Sequence, residues 1–198
     1  MSQWETPLIL ASSSPRRLEL LTAEGFEVTS IAPSCDDGLF TCGLMNVERW
    51  VESLSIMKAQ QVRSCCTESN GTIIAADTVC VVDGQIFGQP ATVDDARETL
   101  HSLLERSHEV CTGWCLCTVD GSRMQSGVEQ AQIIIGSIET DEVEHYLSSN
   151  EWEGKAGAYN LSERMQAGWP ITYIGDPTCV MGLPMSRMKL ELLGEQTA

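Results

Sequence analysis

The run Leu8-Ile-Leu-Ala-Ser-Ser-Ser-Pro-Arg-Arg-Leu-Glu-Leu-Leu21 constrains the fold more than any other stretch of this chain. Its apolar start, Pro7 to Ala11, has the length of a strand and ends in three serines. Ser14 has the chemistry of a helix N-cap, and Pro15 suits the first helical position, where a missing amide costs nothing. Leu18, Leu20 and Leu21 follow at helical spacing, and Gly25 fits the stop. A strand feeding a helix N-terminus aims unpaired N–H groups and the positive end of the helix dipole at the intervening turn. Arg16 and Arg17 add two positive charges where the dipole disfavours them, and an anion in the turn would offset that placement. The same string also fits an ordinary strand–turn–helix with two solvated arginines.

At 198 residues the chain is long enough for one domain, 1–198, or for two closely packed lobes. With 42% hydrophobic and 20% charged residues it reads as a soluble globular protein. No apolar run approaches the roughly 20 residues that span a bilayer. Met1-Ser-Gln-Trp-Glu5 lacks the basic start and apolar core of a signal peptide, so a cytoplasmic location is expected. A formal net charge of −16 argues against nucleic acid or an anionic membrane as partner. It also makes the few cations informative. The only lysines are Lys58, Lys155 and Lys189. Arg16, Arg17, Lys58 and Lys155 could line a pocket for a polyanion, or be scattered surface charge.

Nine cysteines, an odd count without a secretion signal, do not suggest a disulfide framework. Cys111, Cys115 and Cys117 share one face of a strand-like run but lack the paired spacing of structural zinc, so a buried core is expected there.

Residues 7–12 read as a strand, 15–24 as a helix and Phe26 to Ile31 as a second strand. A loop from Ala32 to Asn46 precedes a helix that Asn46 caps and that ends near Cys65. Thr72 to Ala76 reads as a short buried strand ending at Asp77. Asp83-Gly84 and Asp120-Gly121 signal hairpins, the second between runs 108–119 and 123–138. Helices are expected over Val93 to Glu105, Thr140 to Ser149 and Pro184 to Gly194, with an extended run at 169–174. Helices mixed with hairpins and crossover strands make the fold class mixed α/β.

An apolar strand that delivers Asp77 to its end places a carboxylate where α/β sheets commonly hold catalytic groups. A plain strand-ending turn is the alternative. Asp36-Asp37, on a glycine-bearing loop, offer oxygen ligands suited to Mg²⁺ bridged to phosphates, although adjacent loop acids are often merely solvated.

Ser12-x-Ser14-Pro15-Arg16-Arg17 resembles the signature of the Maf family of nucleotide pyrophosphatases. Asp36-Asp37 falls where that family has an Asp-Glu pair, and Lys58-Ala59 resembles its Lys-Ala helix. Ala76-Asp77-Thr78, His108-Glu-Val-Cys-Thr-Gly113, Lys155-Ala-Gly-Ala-Tyr159 and Val180-Met-Gly-Leu-Pro184 are similar to further family strings in the same order. The resemblance implies an inosine triphosphatase-like fold, an elongated twisted sheet with flanking helices and two lobes around a central cleft. It also implies hydrolysis of a nucleoside triphosphate to monophosphate and pyrophosphate, aided by Mg²⁺ or Mn²⁺.

On that resemblance Ser12, Ser14, Arg16 and Arg17 would hold phosphate oxygens, and Lys58 and Lys155 would neutralise transition-state charge. Asp36, Asp37 and Asp77 would hold the metal, and Asp77 would accept the proton of the water that attacks the α-phosphorus. Gln89 stands where the family usually has a phosphate-facing lysine, and Ser162 where it has a base-contacting glutamine. Thr78 leans toward the branch acting on dTTP and UTP. The expected partner is a nucleoside triphosphate, with at most a second copy of the chain in a homodimer. A nucleotide-binding regulator of cell division with weak turnover is the competing reading, and a phosphosugar binder explains less.

Overall fold

A computed structural model describes residues 4–34 and 42–194, so Asp36 and Asp37 lie outside the described residues. Seven strands form one mixed sheet in the order β2-β1-β3-β5-β6-β7, with β4 paired to β3. The chain divides into two compact units, Met1–Asp77 with Thr112–Glu129 and Gly182–Ala198, and Thr78–Cys111 with Gln130–Met181. Strands β3 (Thr72–Val82), β5 (Ser107–Thr118) and β6 (Met124–Ile135) contribute residues to both.

In the first unit β1 (Leu8–Ala11) pairs in parallel with β2 (Val28–Ser30) and with β3, where Leu8 faces Thr72 and Ala11 faces Ala75. Both faces of this sheet are covered, which is why β1 is apolar throughout rather than alternating. On one face Ile9, Ala11, Ile73 and Ala75 pack with Ala59 and Val62 of α2 (Val47–Cys65). On the other, Leu10, Ile74 and Ala76 pack with Leu21 of α1 (Pro15–Ala23). Met185, Met188 and Leu192, in the last helix, join that second core. At Gly113 an added Cβ would lie 2.3 Å from the Val51 carbonyl, so only glycine lets α2 approach β5 this closely.

In the second unit Asp83 (φ 49°) and Gly84 (φ 78°) turn β3 into β4 (Gln85–Phe87), pairing Val82 with Gln85. Helix α3 (Val93–Leu103) opens with a reciprocal cap between Thr92 and Asp95. Its Leu100 and Leu103 share a core with Val143, Tyr146 and Leu147 of α4 (Thr140–Ser148) and with Ile133 and Ile135 of β6. Two short helices, α5 (Leu161–Gln166) and α6 (Pro177–Val180), flank β7 (Ile171–Ile174) and precede α7 (Met185–Leu193). Neither is long enough to leave a periodic trace in the sequence.

Two expectations are corrected. Strand β3 does not end at Asp77: it continues to Val82, burying Val79, Cys80 and Val82, because the apolar pattern resumes beyond the aspartate. Ser14 holds the N-cap position of α1, but its side chain does not cap it. Cys115 and Cys117 are buried in the α2-side core, and burial pushes the Cys115 thiol up to about 12, which keeps it protonated.

Candidate active site

The turn after β1 is organised around the Ser12 hydroxyl. Ser12 is buried, and its Oγ accepts from the Ser14 backbone N–H at 3.1 Å and from Arg17 Nη1 at 3.2 Å. Its carbonyl accepts from the Ser30 hydroxyl at 2.6 Å. Arg17 Nε also donates to the Gly182 carbonyl at 2.8 Å, so the guanidinium ties the turn to the segment that leads into α7. Arg16 stands half-buried in the same first helical turn, which contains no acidic residue. Serine oxygens, a helix N-terminus and arginine therefore converge on one turn, as an anion requires.

Asp77 lies two residues beyond the last position at which β3 pairs with β1. By strand alternation its side chain shares a face with Ile73 and Ala75, the face that α2 covers. Lys58 of α2 meets it there. The ammonium and the Asp77 carboxylate form a direct ion pair, with only 10% and 9% of the two side chains exposed. A carboxylate inside an apolar strand is tolerated because this partner satisfies it.

In the second unit Lys155 Nζ donates to Glu163 Oε2 at 2.5 Å, and Asn160 Nδ2 donates to Glu163 Oε1 at 2.8 Å. The Asn160 side-chain oxygen Oδ1 caps α5 by accepting from the Glu163 N–H at 3.2 Å, and also accepts from the Ser162 hydroxyl at 2.9 Å. Lys155 thus leads to Ser162 through Glu163 and Asn160. The Ala156–Ala158 turn between them is anchored by the Gly157 N–H on the Gly88 carbonyl at 3.1 Å, which sets it beside exposed Gln89. Gly157 is obligatory there: its φ is 71°, and a Cβ would meet Cys80 Sγ at 2.4 Å. Behind the turn, His108 Nε2 and the Tyr159 hydroxyl share a buried hydrogen bond of 2.8 Å. Burial lowers His108 to about 4 and raises Tyr159, so both are neutral near neutral pH. Thr78, half-buried, follows Asp77 as the next residue of β3.

The family profile described as Maf-like protein matches residues 7–195. The chain belongs to the Maf family. Among similar Maf proteins, a dTTP/UTP pyrophosphatase of Rhizobium meliloti (strain 1021) is 35% identical over 192 residues, covering 95% of this chain and 92% of its own length. One from Pyrococcus abyssi (strain GE5 / Orsay) is 33% identical over 190 residues, covering 94% of each chain. A third, from Agrobacterium fabrum (strain C58 / ATCC 33970), is 32% identical over 199 residues, covering 98% of this chain and 95% of its own.

Of the expected site residues, the structure joins Ser12, Ser14 and Arg17 in one hydrogen-bonded turn and Lys58 with Asp77. It links Lys155 with Ser162 through two residues that sequence reading passed over, Asn160 and Glu163. Their N-x-x-E spacing is the trace of a helix cap and could have marked them. The His108–Tyr159 contact, by contrast, links two Maf strings 51 residues apart and left no local signal.

Proposed function

We propose that this Maf protein hydrolyses nucleoside triphosphates, dTTP and UTP foremost, to the monophosphate and pyrophosphate. The observation that carries the reading is the buried Lys58–Asp77 pair on β3 beside an anion-suited turn. It is supported by relatives named dTTP/UTP pyrophosphatase that match along nearly the full chain.

In this reading the turn at Ser12–Ser14 and Arg16 grip phosphate oxygens, while Arg17 holds the turn in shape. Asp77 accepts the proton from the attacking water. Lys58 pairs with that carboxylate in the resting protein, and its ammonium takes up negative charge as the phosphorus–oxygen bond breaks. By resemblance to the family strings, Lys155 and Gln89 are assigned to phosphate, and Thr78 and Ser162 to nucleotide preference.

A divalent cation fits the donor set. A hard cation bound to a nucleotide needs only one or two protein carboxylates with phosphate oxygens and water, and Asp77 is an oxygen donor of that kind. Asp36 and Asp37 would complete the set. Among the described residues no three acidic, histidine or cysteine side chains gather to hold a metal. When bound, the cation would neutralise phosphate charge and acidify the attacking water.

No helix among the described residues is long and apolar enough to cross a membrane. The eight described cysteines are all free thiols, which supports a reducing, cytoplasmic setting.

The test is pyrophosphate release from a nucleotide panel with Mg²⁺ or Mn²⁺. Turnover is expected to be fastest for dTTP and UTP and to stop reversibly with EDTA. Tight nucleotide binding without pyrophosphate release would instead support a regulator.

A further inference from the structure

Strand β2 meets the anion-suited turn at a point where the ladder runs out of donors. In the parallel pairing of β1 with β2, Leu10 faces Ser30, and the Leu10 carbonyl accepts from the Ile31 N–H at 2.9 Å. Parallel bonds recur every second residue, so the next acceptor is the Ser12 carbonyl and the next donor position falls to Pro33. A proline has no N–H to give. The Ser30 hydroxyl takes over, donating to the Ser12 carbonyl at 2.6 Å. Ser30 is exposed and lies outside every string that resembles the family.

That bond fixes a whole peptide. The Ser12–Ser13 peptide is trans, so it is planar and points its N–H opposite to its C=O. With the Ser12 carbonyl held by Ser30 of β2, the Ser13 N–H faces away from β2, toward the side on which β1 has β3 as its other neighbour. Strand β3 carries Asp77 two residues beyond Ala75, the partner of Ala11. The neighbouring amides of the turn are committed or absent. The Ser12 N–H donates to the Leu10 carbonyl at 3.0 Å, the Ser14 N–H to Ser12 Oγ at 3.1 Å, and Pro15 has none. Ser13 is exposed, so its N–H is open to a ligand.

We propose that Ser30 is a positioning residue: by holding the Ser12 carbonyl it aims the Ser13 N–H as a donor to phosphate oxygen. The inference rests on the reading of the turn as the phosphate grip of a nucleoside triphosphate pyrophosphatase. Ser30 acts through the peptide and not by contact with the anion. Without its hydroxyl the Ser12–Ser13 peptide loses its restraint on the β2 side, and the anion must then order its own donor.

Titration with inorganic pyrophosphate tests this without turnover, using amide-resolved NMR to follow Ser13 and calorimetry to measure affinity. In the wild-type protein the Ser13 amide proton is expected to move downfield as pyrophosphate binds. S30A should weaken that binding about fivefold, the share of one neutral hydrogen bond, and remove most of the Ser13 shift. S30T keeps the hydroxyl on a residue that suits a strand and should stay within about twofold of wild type. Both variants should keep Tm within about 2 °C of wild type, because Ser30 is exposed. A Ser13 resonance that pyrophosphate leaves unmoved in the wild type would overturn the proposal, as would S30A binding as tightly as wild type. S30T binding as weakly as S30A would also overturn it, and so would a lowered Tm with unchanged affinity, which would leave Ser30 a role in the fold alone. Kinetics keep the two readings apart. Ser30-dependent binding in a protein that releases no pyrophosphate from nucleotides would refute the hydrolase reading and leave the positioning role standing. An active enzyme whose kcat/KM is the same in S30A would do the reverse.

Discussion

Arg17 donates from Nε to the carbonyl of Gly182 at 2.8 Å, closing a link between two residues 165 positions apart. Its Nη1 meanwhile holds Ser12 Oγ, so one guanidinium clamps the anion-suited turn to the segment before α7. We assign the neighbouring arginines of the Ser-Pro-Arg-Arg string different tasks, Arg17 in holding the turn and Arg16 in gripping phosphate.

Substituting them should separate those tasks. R17A is expected to lose about 1.5–3 kcal/mol of stability, the worth of hydrogen bonds from a charged donor. At about 2–4 °C per kcal/mol for a chain of this size, Tm should fall by roughly 3–12 °C. R16A should lower Tm less than R17A and reduce kcat/KM by about 2–5 kcal/mol, if its guanidinium is desolvated against phosphate. Equal Tm values for the two variants, measured by calorimetry, would remove the distinction.

Asp77 and Lys58 are coupled, so their variants should not add. D77N removes the base and is expected to lower kcat by about 10²–10⁴-fold. It also removes the carboxylate partner of a buried ammonium, at a cost of up to about 3–5 kcal/mol. Adding K58M should recover much of that stability without recovering turnover. Denaturant titration and pyrophosphate release measured on all four proteins complete the cycle. A fully active, fully stable D77N would remove Asp77 from both roles.

Gln89 lies beside the Lys155 turn without a charge of its own. At about 4 Å and an effective dielectric near 20, a unit charge pair interacts by roughly 4 kcal/mol, and desolvating an ammonium offsets much of that. Q89K is therefore expected to raise kcat by about fivefold, or about 1 kcal/mol. An unchanged kcat across several nucleotides would mean either that the Gln89 loop does not reach the phosphates or that another cation, Lys155 foremost, already fills the role.

His108 should make the fold sensitive to mild acid. Its folded value of about 4 lies below the ordinary 6.5, so the unfolded chain binds more protons between those limits. The stability it contributes is fully present above pH 6.5 and is lost as pH falls toward 4. By pH 5 the loss should reach about 2 kcal/mol. H108Q should flatten the stability profile between pH 6.5 and 5, as measured by denaturant titration. A wild-type profile that is already flat there would contradict the burial argument.

The local grammar of this chain was legible directly. Pro15, Asn46, Asp83-Gly84, Pro184 and Gly194 mark element ends through their own φ preferences and hydrogen-bonding capacity, so α1, α2, the β3–β4 hairpin and α7 stand where the sequence predicts. The mixed α/β class and the anion-suited turn follow from the same short-range chemistry, and the ordered family strings extended it to a function.

Tertiary structure decided what depends on distant partners. Asp77 looked like the end of a strand because a lone charge should stop an apolar run. Lys58, arriving from α2, pairs with it, and β3 continues to Val82. Ser14 looked like a cap, but the hydrogen bonds of the turn converge on Ser12 instead. Arg17 and Gly182 stand 165 positions apart, and no local pattern announces the hydrogen bond between them. Turns and caps are set by a few neighbouring dihedrals, which a sequence states outright. The ionisation, burial and aim of a charged side chain are set by whatever the fold brings against it, and that exists only once the sheet and helices have packed.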